Sequence, residues 1–447
     1  MSEEMQIPKS WTRDKIGSVF FTTSGGTPSR KNPNYYIGSI PWVKSGELDK
    51  GLIIQTEEYI SPEAIQNSSA KVFPKGTLLI ALYGATIGKL GFLGVDAATN
   101  QAICGIFDNG NFSLQYTKHF LFHNRNKLIE QGAGGAQPNI SQTILKELSI
   151  AIPPLAEQHR IVAKIEELFS SLDKAIESIT TAKQQLKVYR QAVLKWAFEG
   201  RLTNDNVVDG ELPKGWKELQ ISDIAEKITD GEHFRPQTQN EGIPFLSAKD
   251  VRDNGVSFDA PLYISSETAR KALQRCNPEK GDVLIVSRGA TVGRMCIVNT
   301  DRTFCLLGSV ILIKVKQLYS SKFITYILKS PFANQKMISV SGATAQQAIY
   351  LRDIKQIFIP VPGSIDEQER IVEEIESRLS VCDKIEEGIE NSLLQAEALK
   401  QSILKKAFEG RLVPQDPSDE PASKLIERIK AEREKNIKGK KNAKVRV

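Results

Sequence analysis

The sequence predicts an α+β chain made of two copies of one unit, each a globular part followed by a long helix. Two observations carry this: an ungapped internal repeat, and two Pro- and Gly-free segments with coiled-coil periodicity. Residues 157–202 begin EQHRIVAKIEEL and end LKWAFEGRL; residues 367–412 begin EQERIVEEIESR and end LKKAFEGRL. Glu157 pairs with Glu367 and Leu202 with Leu412 at the same offset of 210 positions. Two unrelated amphipathic helices would not share a terminal AFEGRL in one register, so the repeat is real.

The helices show the clearest pattern. From Leu155 to about Glu199, apolar residues fall at Ile161, Ile165, Leu168, Leu172, Ile176, Ile179, Leu186, Tyr189 and Val193. The second copy gives Ile371, Ile375, Leu379, Cys382, Ile385, Ile389, Leu393, Leu399 and Ile403. Steps of three, four and seven mark a coiled-coil seam. Pro153-Pro154 and Pro362 precede the helices as start signals, and Gly200 and Gly410 follow as stops. One such helix alone leaves its stripe exposed, so the two are expected to pack together. At 1.5 Å per residue each reaches roughly 65 Å, about two turns of DNA at roughly 34–36 Å per turn.

The globular parts correspond more weakly. Trp11 aligns with Trp216, Ile40-Pro41-Trp42 with Ile243-Pro244-Phe245, and Lys75–Ile80 with Lys280–Ile285. Gly84-Ala-Thr-Ile-Gly88 matches Gly289-Ala-Thr-Val-Gly293. Short β-prone runs (Leu78–Ile80, Val283–Val286) lie between Gly, Pro and Asn turns, with helical patterns near 113–130 and 318–338. The expected boundaries are 1–151 and 204–360 for the globular parts, 152–203 and 361–413 for the helices, and 414–447 for a C-terminal helix and basic tail.

Composition sets limits. The chain has 447 residues and a net charge of +6. The segment from Lys430 to Val447 carries eight Lys/Arg and two Glu, which accounts for that entire charge. The body is neutral, so binding to nucleic acid by bulk charge is excluded; local basic loops or partners must supply phosphate contacts. Cys104, Cys276, Cys296, Cys305 and Cys382 are scattered without a CxxC, which points to buried reduced thiols. Met1–Trp11 is polar and Gly76–Gly88 is too short to span a bilayer. A cytoplasmic protein without membrane association is expected.

The order of parts, with PPLAEQ at 153–158, the AFEGRL helix ends and ASKLIERIKAERE at 422–434, resembles the specificity subunits of type I restriction-modification systems over essentially the whole chain. The resemblance implies that each globular part is a target recognition domain reading one half of a bipartite double-stranded DNA site. It implies an antiparallel coiled coil that spaces the domains and docks two methyltransferase subunits, completed by two restriction/translocase subunits. It implies a non-catalytic chain without a cofactor of its own. S-adenosylmethionine, and ATP with Mg for the nuclease, belong to the partners. The helix starts offer Glu157, Gln158, Arg160, Glu367, Gln368 and Arg370 as partner-binding candidates. One departure is Val361-Pro362-Gly363-Ser364, where Pro-Pro-Leu is expected.

Base reading requires polar and basic side chains on loops. In the first part, Gly25 and Gly26 would let backbone approach phosphate, with Thr27, Ser29, Arg30 and Lys31 beside them. Lys44 and Ser45 follow the IPW strand; Lys249 and Asp250 follow IPF, and Arg235 lies in the preceding loop. In the paired glycine turns, Tyr83 and Arg288 occupy one position, beside Thr86, Lys89, Thr291 and Arg294. A position that changes chemistry within a repeated frame suits a base reader, and Arg288 suits guanine. Gln137, Asn139, Gln346 and Gln347 sit in comparable turns and suit adenine. The ordinary alternatives are solvated charged loops and turn glycines that serve folding alone.

Several motifs mislead. Asn32-Pro33-Asn34-Tyr35 lacks the second Pro of an amino-methyltransferase motif and has no glycine-rich cofactor loop with it. Gly84–Gly88-Lys89 is one residue short of a phosphate loop and lacks Ser/Thr after Lys. His119 and His123 read as a packed helix face rather than zinc ligands. Two alternatives stay open: a modification-only system without nuclease, and a coiled-coil scaffold whose globular parts hold proteins.

Overall fold

The computed structural model describes residues 7–132, 139–204, 206–339 and 348–432. The chain divides into two compact units. Unit 1 holds 1–178 and 392–447; unit 2 holds 179–391. Each therefore contains one globular part and half of each long helix, α1 (Leu155–Phe198) and α2 (Ile365–Phe408).

In unit 1, a five-stranded sheet is built from β1 (Thr22–Ser24), β2 (Leu52–Ile53), β3 (Leu78–Ala81), β4 (Leu90–Leu93) and β5 (Ile103–Ile106), in the order β1-β5-β3-β4-β2. The strands β3 and β5 are buried along their whole length, which explains their continuous apolar sequence. A second sheet of Glu58–Ile60, Ile40–Val43, Ala97–Thr99 and Val72–Phe73 packs beside it. Unit 2 repeats the plan with β6 (Ala225–Asp230), β7 (Val283–Val286), β8 (Met295–Ile297) and β9 (Val310–Val315), ordered β6-β9-β7-β8. Its second sheet holds Leu262–Ile264, Ile243–Leu246 and Cys305–Leu306. Helices at Leu114–His123 and Ser321–Lys329 answer the two helical patterns.

Within each unit the long helices run antiparallel. In unit 2, Lys183 pairs with Glu390 (3.0 Å) and Arg190 with Asp383 (2.5 Å), so partners fall along α2 as they rise along α1. In unit 1, Lys400 meets Asp173 at 2.5 Å. Exposed pairs of this kind contribute at most about 1 kcal/mol each; apolar burial contributes more. Ile161 and Ile165 join Ile403, Leu404 and Phe408 in the core of unit 1, and Val193 joins Ile371 and Ile375 in that of unit 2. Three expected seam positions are corrected: Tyr189 is 36%, Ile385 47% and Leu399 48% exposed, while Ala396 and Leu404 turn inward. A straight helix drifts about 20° per heptad, so a strict seven-residue reading slips off the buried face.

The helix ends are clasped alike in both units. Gly200 and Gly410 have φ of 78° and 72°, the left-handed conformation that ends a helix and that favours glycine. A Cβ on Gly410 would meet Pro8 at 2.3 Å, and one on Gly200 would meet Pro213 at 2.2 Å. The start of each globular part thus closes over the end of a long helix. Unit 1 also holds a helix that has no counterpart among the described residues of unit 2: the helix at 422–432 buries Ala422, Leu425, Ile426 and Ile429 in its core. There Lys430 pairs with Asp14 at 2.9 Å.

All five cysteines are free and buried. Burial pushes Cys104, Cys276 and Cys296 up to about 12, which leaves them as unreactive thiols. No helix among the described residues is long and apolar enough to cross a membrane.

Candidate nucleic-acid interface

In each unit one end of the main sheet gathers the loops singled out in the sequence. In unit 1, Cys104 lies opposite Ser24, and Ile103 opposite Ala81. The chain leaving β1, the turn leaving β3 and the approach to β5 therefore meet at that end. The segment at Asn139 joins them: Tyr83 and Asn139 form a bridge, and Ile140 N donates to Leu82 O at 2.7 Å. In unit 2, Asp230 lies opposite Ile311 and Val286 opposite Val310. The loop after β6 and the turn after β7 leave from the same end. Arg288 bridges to Ala348, as Tyr83 does to Asn139. The frame is the same down to its hydrogen bonds, and the presented residue differs.

The paired turns have a physical basis. Gly84 and Gly88 have φ of 80° and 74°, and Gly289 and Gly293 have 107° and 85°. Residues with a Cβ rarely adopt such angles, so glycine fixes the frame while the residue before it is free to vary. In unit 1 the turn is braced by Arg125, whose Nε and Nη2 donate to Ile87 O at 3.3 and 3.1 Å. Arg288 is exposed; Tyr83, Thr86, Lys89, Thr291 and Arg294 are half-buried. Arg294 lines a separate cleft with Arg252, Asp253 and Asn299. Gln137, Gln346 and Gln347 lie outside the described residues.

Several expectations are corrected. Gly25 and Gly26 do not open the backbone to phosphate: Cβ atoms there would sit 2.2 Å from Thr99 O and 2.3 Å from the Ser69 carbonyl carbon. They permit close backbone packing instead. Arg30 is neutralised by Glu58 at 2.7 Å and lies 4.0 Å over the Tyr36 ring. Lys44 pairs with Glu57 (2.8 Å) and Glu58 (3.1 Å). Ser45 starts a 3-10 turn whose Glu47 is buried and accepts from Lys44 N at 2.8 Å. The matching Asp250 accepts from Ser247 N at 2.8 Å, and Lys249 donates to Ala260 O at 3.3 Å. Glu47 and Asp250 thus close the same turn in the two units. Thr27 donates to Gln101 Oε1, and Ser29 accepts from Lys31 N at 3.4 Å. Lys31 and Arg235 are exposed.

Most of the partner-docking candidates are engaged within the fold. Glu157 is 1% and Gln158 0% exposed. Glu157 accepts from Trp11 Nε1 (3.0 Å) and Gln415 Nε2 (2.5 Å). Gln158 accepts from Ser113 N (2.9 Å) and donates to Pro153 O (3.0 Å). Glu367 and Gln368 repeat the pattern: Trp216 Nε1 donates to Glu367 at 2.9 Å, and Ser320 N to Gln368 at 2.8 Å. Burial raises the Glu157 carboxyl above its ordinary range, against the two bonds it accepts. The repeated Glu-Gln ties each helix start to its own globular part. Arg160 pairs with Asp419 at 2.6 Å, and Arg370 alone of the six is exposed. His119 is buried, its ring against Phe169, and burial lowers it to about 4; His123 packs on Phe408. Asn32 caps a short turn by accepting from Asn34 N at 3.2 Å.

Residues that the sequence did not single out complete the face. Gln142 donates to Ser24 Oγ at 2.6 Å. Arg275 ends the helix Ser266–Arg275 and donates to Asp230 Oδ1 at 2.6 Å. No motif marks either; each sits at the end of a helix that the fold packs against this end of the sheet.

The same two-part organisation is found in known proteins. The family model described as the type I restriction modification DNA specificity domain matches twice, at residues 8–188 and 213–395. The chain is 28% identical to the Escherichia coli type I restriction enzyme EcoBI specificity subunit, over 96% of this chain and 94% of that protein. It is 26% identical to the EcoKI specificity subunit of Escherichia coli K12, over 96% of each. Its fold matches a chain from a solved type I restriction-modification assembly with a TM-score of 0.72, covering 91% of this chain and all of that one at 22% identity. It also matches the HsdS subunit of Thermoanaerobacter tengcongensis, with a TM-score of 0.60 at 21% identity over 92% of this chain and 99% of that one. With both repeats matched, the chain belongs to the type I restriction modification DNA specificity domain family.

Proposed function

We propose that this chain is the DNA sequence-specificity subunit of a type I restriction-modification complex, each unit reading one half of a bipartite site. The observation that carries this is the paired turn: one glycine frame, at one end of two related sheets, presents Tyr83 in unit 1 and Arg288 in unit 2. A guanidinium recognises guanine through O6 and N7, which a tyrosine cannot do. Two such readers on a repeated frame suit a split, asymmetric sequence. In this reading the paired long helices set the half-site spacing and dock methyltransferase subunits, through surfaces other than the internal Glu-Gln clasps. The chain contributes recognition and no bond-making step. S-adenosylmethionine belongs to the methyltransferase partners, and ATP with Mg to the restriction/translocase partners.

The test is binding by the chain assembled with its methyltransferase partner. Gel shift on a duplex carrying the modified motif, against one with either half scrambled, should give a loss of about 1–3 kcal/mol per altered base pair. Equal affinity for all three duplexes overturns the reading.

A further inference from the structure

Phe234 is 88% exposed, the most exposed large apolar side chain among the described residues. It stands in the loop that leaves β6, at the end of the sheet that presents Arg288. Both sides of the loop are pinned. Glu232 N donates to Leu306 O (2.8 Å), Gly308 N donates to Glu232 O (2.7 Å), and Gln239 N donates to Tyr263 O (2.9 Å). A Cβ on Gly231 would lie 2.1 Å from Leu306 O, so this strand-to-loop step sits hard against its neighbour. Arg275 Nη2 lies 2.6 Å from both Asp230 Oδ1 and His233 Nε2, which fixes the residue just before Phe234. The ring belongs to none of the apolar clusters of unit 2. A phenylalanine left in water on an anchored loop forgoes a large burial gain.

The surroundings point to one occupant. Arg235 follows it in the chain and Arg288 leaves the same end of the sheet, both exposed, and the loop continues as Gln237, Thr238, Gln239 and Asn240. A protein partner for a Phe ring needs apolar neighbours to share its pocket. Cations and amides around a single ring instead match a polyanion with stacked π faces. We propose that Phe234 is a wedge: it inserts at a base step of the half-site read by unit 2, with Arg235 on phosphate and Arg288 on a base edge. Apolar wedges of this kind unstack one step and bend the duplex. In unit 1 the corresponding step, Gly26 N to Thr99 O, is followed by Pro28, which is buried. The distortion is therefore confined to one half-site. This inference rests on the DNA-specificity reading above.

The test uses the assembled complex and a duplex with its recognition motif. 2-Aminopurine replaces each base of the unit 2 half-site in turn, the methylated adenine excepted. The wild-type complex should raise the fluorescence at one step. F234A should abolish that rise and weaken binding about tenfold, the order of one lost stacking contact, and F234W should keep both. L318A, at another exposed apolar residue (74% exposed) beyond the opposite end of β9, should change neither. If F234A reads the motif with unaltered affinity and unaltered fluorescence, the wedge is wrong and the specificity reading stands. A folded wild-type complex without any motif preference overturns the specificity reading, and the wedge with it.

Discussion

In unit 1 the turn after β3 presents Tyr83, and the cations on nearby loops are neutralised within the fold, Arg30 by Glu58 and Lys44 by Glu57 and Glu58. In unit 2 the same turn presents an exposed Arg288, joined by Arg235 and Phe234. The internal clasps are the reverse case: Trp11–Glu157 and Trp216–Glu367, Gln158–Ser113 and Gln368–Ser320 are the same in both. Duplication has kept the bonds that hold a globular part to its helix and has let the presented residues diverge. A scaffold can be shared between two readers only if reading is left to residues that the scaffold does not use.

The comparison breaks most sharply where the units differ in cover. Deleting residues 414–447 removes the burial of Leu425, Ile426 and Ile429 from unit 1 alone. At about 1.5–3 kcal/mol per buried side chain, unit 1 should lose several kcal/mol. Calorimetry should then show an early transition for unit 1, with that of unit 2 in place. A uniform shift of both would mean that the two units do not melt independently.

A smaller effect probes the shared clasp. Gln368→Leu leaves Ser320 N–H and Pro362 C=O without their partner, at roughly 1–3 kcal/mol for each buried group. Unit 2 should be the one destabilised, and Gln158→Leu should do the same to unit 1. Urea unfolding followed through Trp216 or Trp11 fluorescence separates them.

Next comes reading itself. R288A should cost about 1–3 kcal/mol in binding and relax one position of one half-site, while Y83A should touch only the other half. R30A should leave the salt dependence of binding unchanged, because its charge already has a partner in Glu58. A flatter log–log salt plot for R30A would show that this cation does reach phosphate.

The smallest effect is a pH difference. Burial raises Glu157, so the folded state holds this proton more tightly than the unfolded one. Its contribution is most favourable below the ordinary carboxyl range and falls as pH rises through it. E157Q removes that fall, so the stability difference between E157Q and wild type should grow in favour of E157Q from pH 3 to pH 7. A pH-independent difference would contradict it.

Much of this was legible in the sequence because it is periodic or repeated. The long helices showed in their spacing, their ends in Gly200 and Gly410, and the reading turn in two matched glycine frames that differ at Tyr83 and Arg288. What escaped was set by pairing across strands. Glu58 lies far along the chain from Arg30, yet its strand neighbours Ile40–Val43 and brings it to Arg30 and Lys44. The repeated Glu-Gln at the helix starts signalled a common task, but polarity could not say whether it faced a partner or the protein's own Trp11 and Trp216. Phe234 carried a local signal, an aromatic beside Arg between Gly231 and Pro236; only its exposure makes the ring stand out.

The most direct measurement is modified-base sequencing of DNA from a methylation-free host that co-expresses this chain with its methyltransferase partner, repeated after residues 12–150 are replaced by those of a relative. The account predicts a split adenine motif with a fixed gap, of which one half changes on replacement and the other half and the gap do not. Modification without sequence preference, or a replacement that alters both halves together, would contradict it.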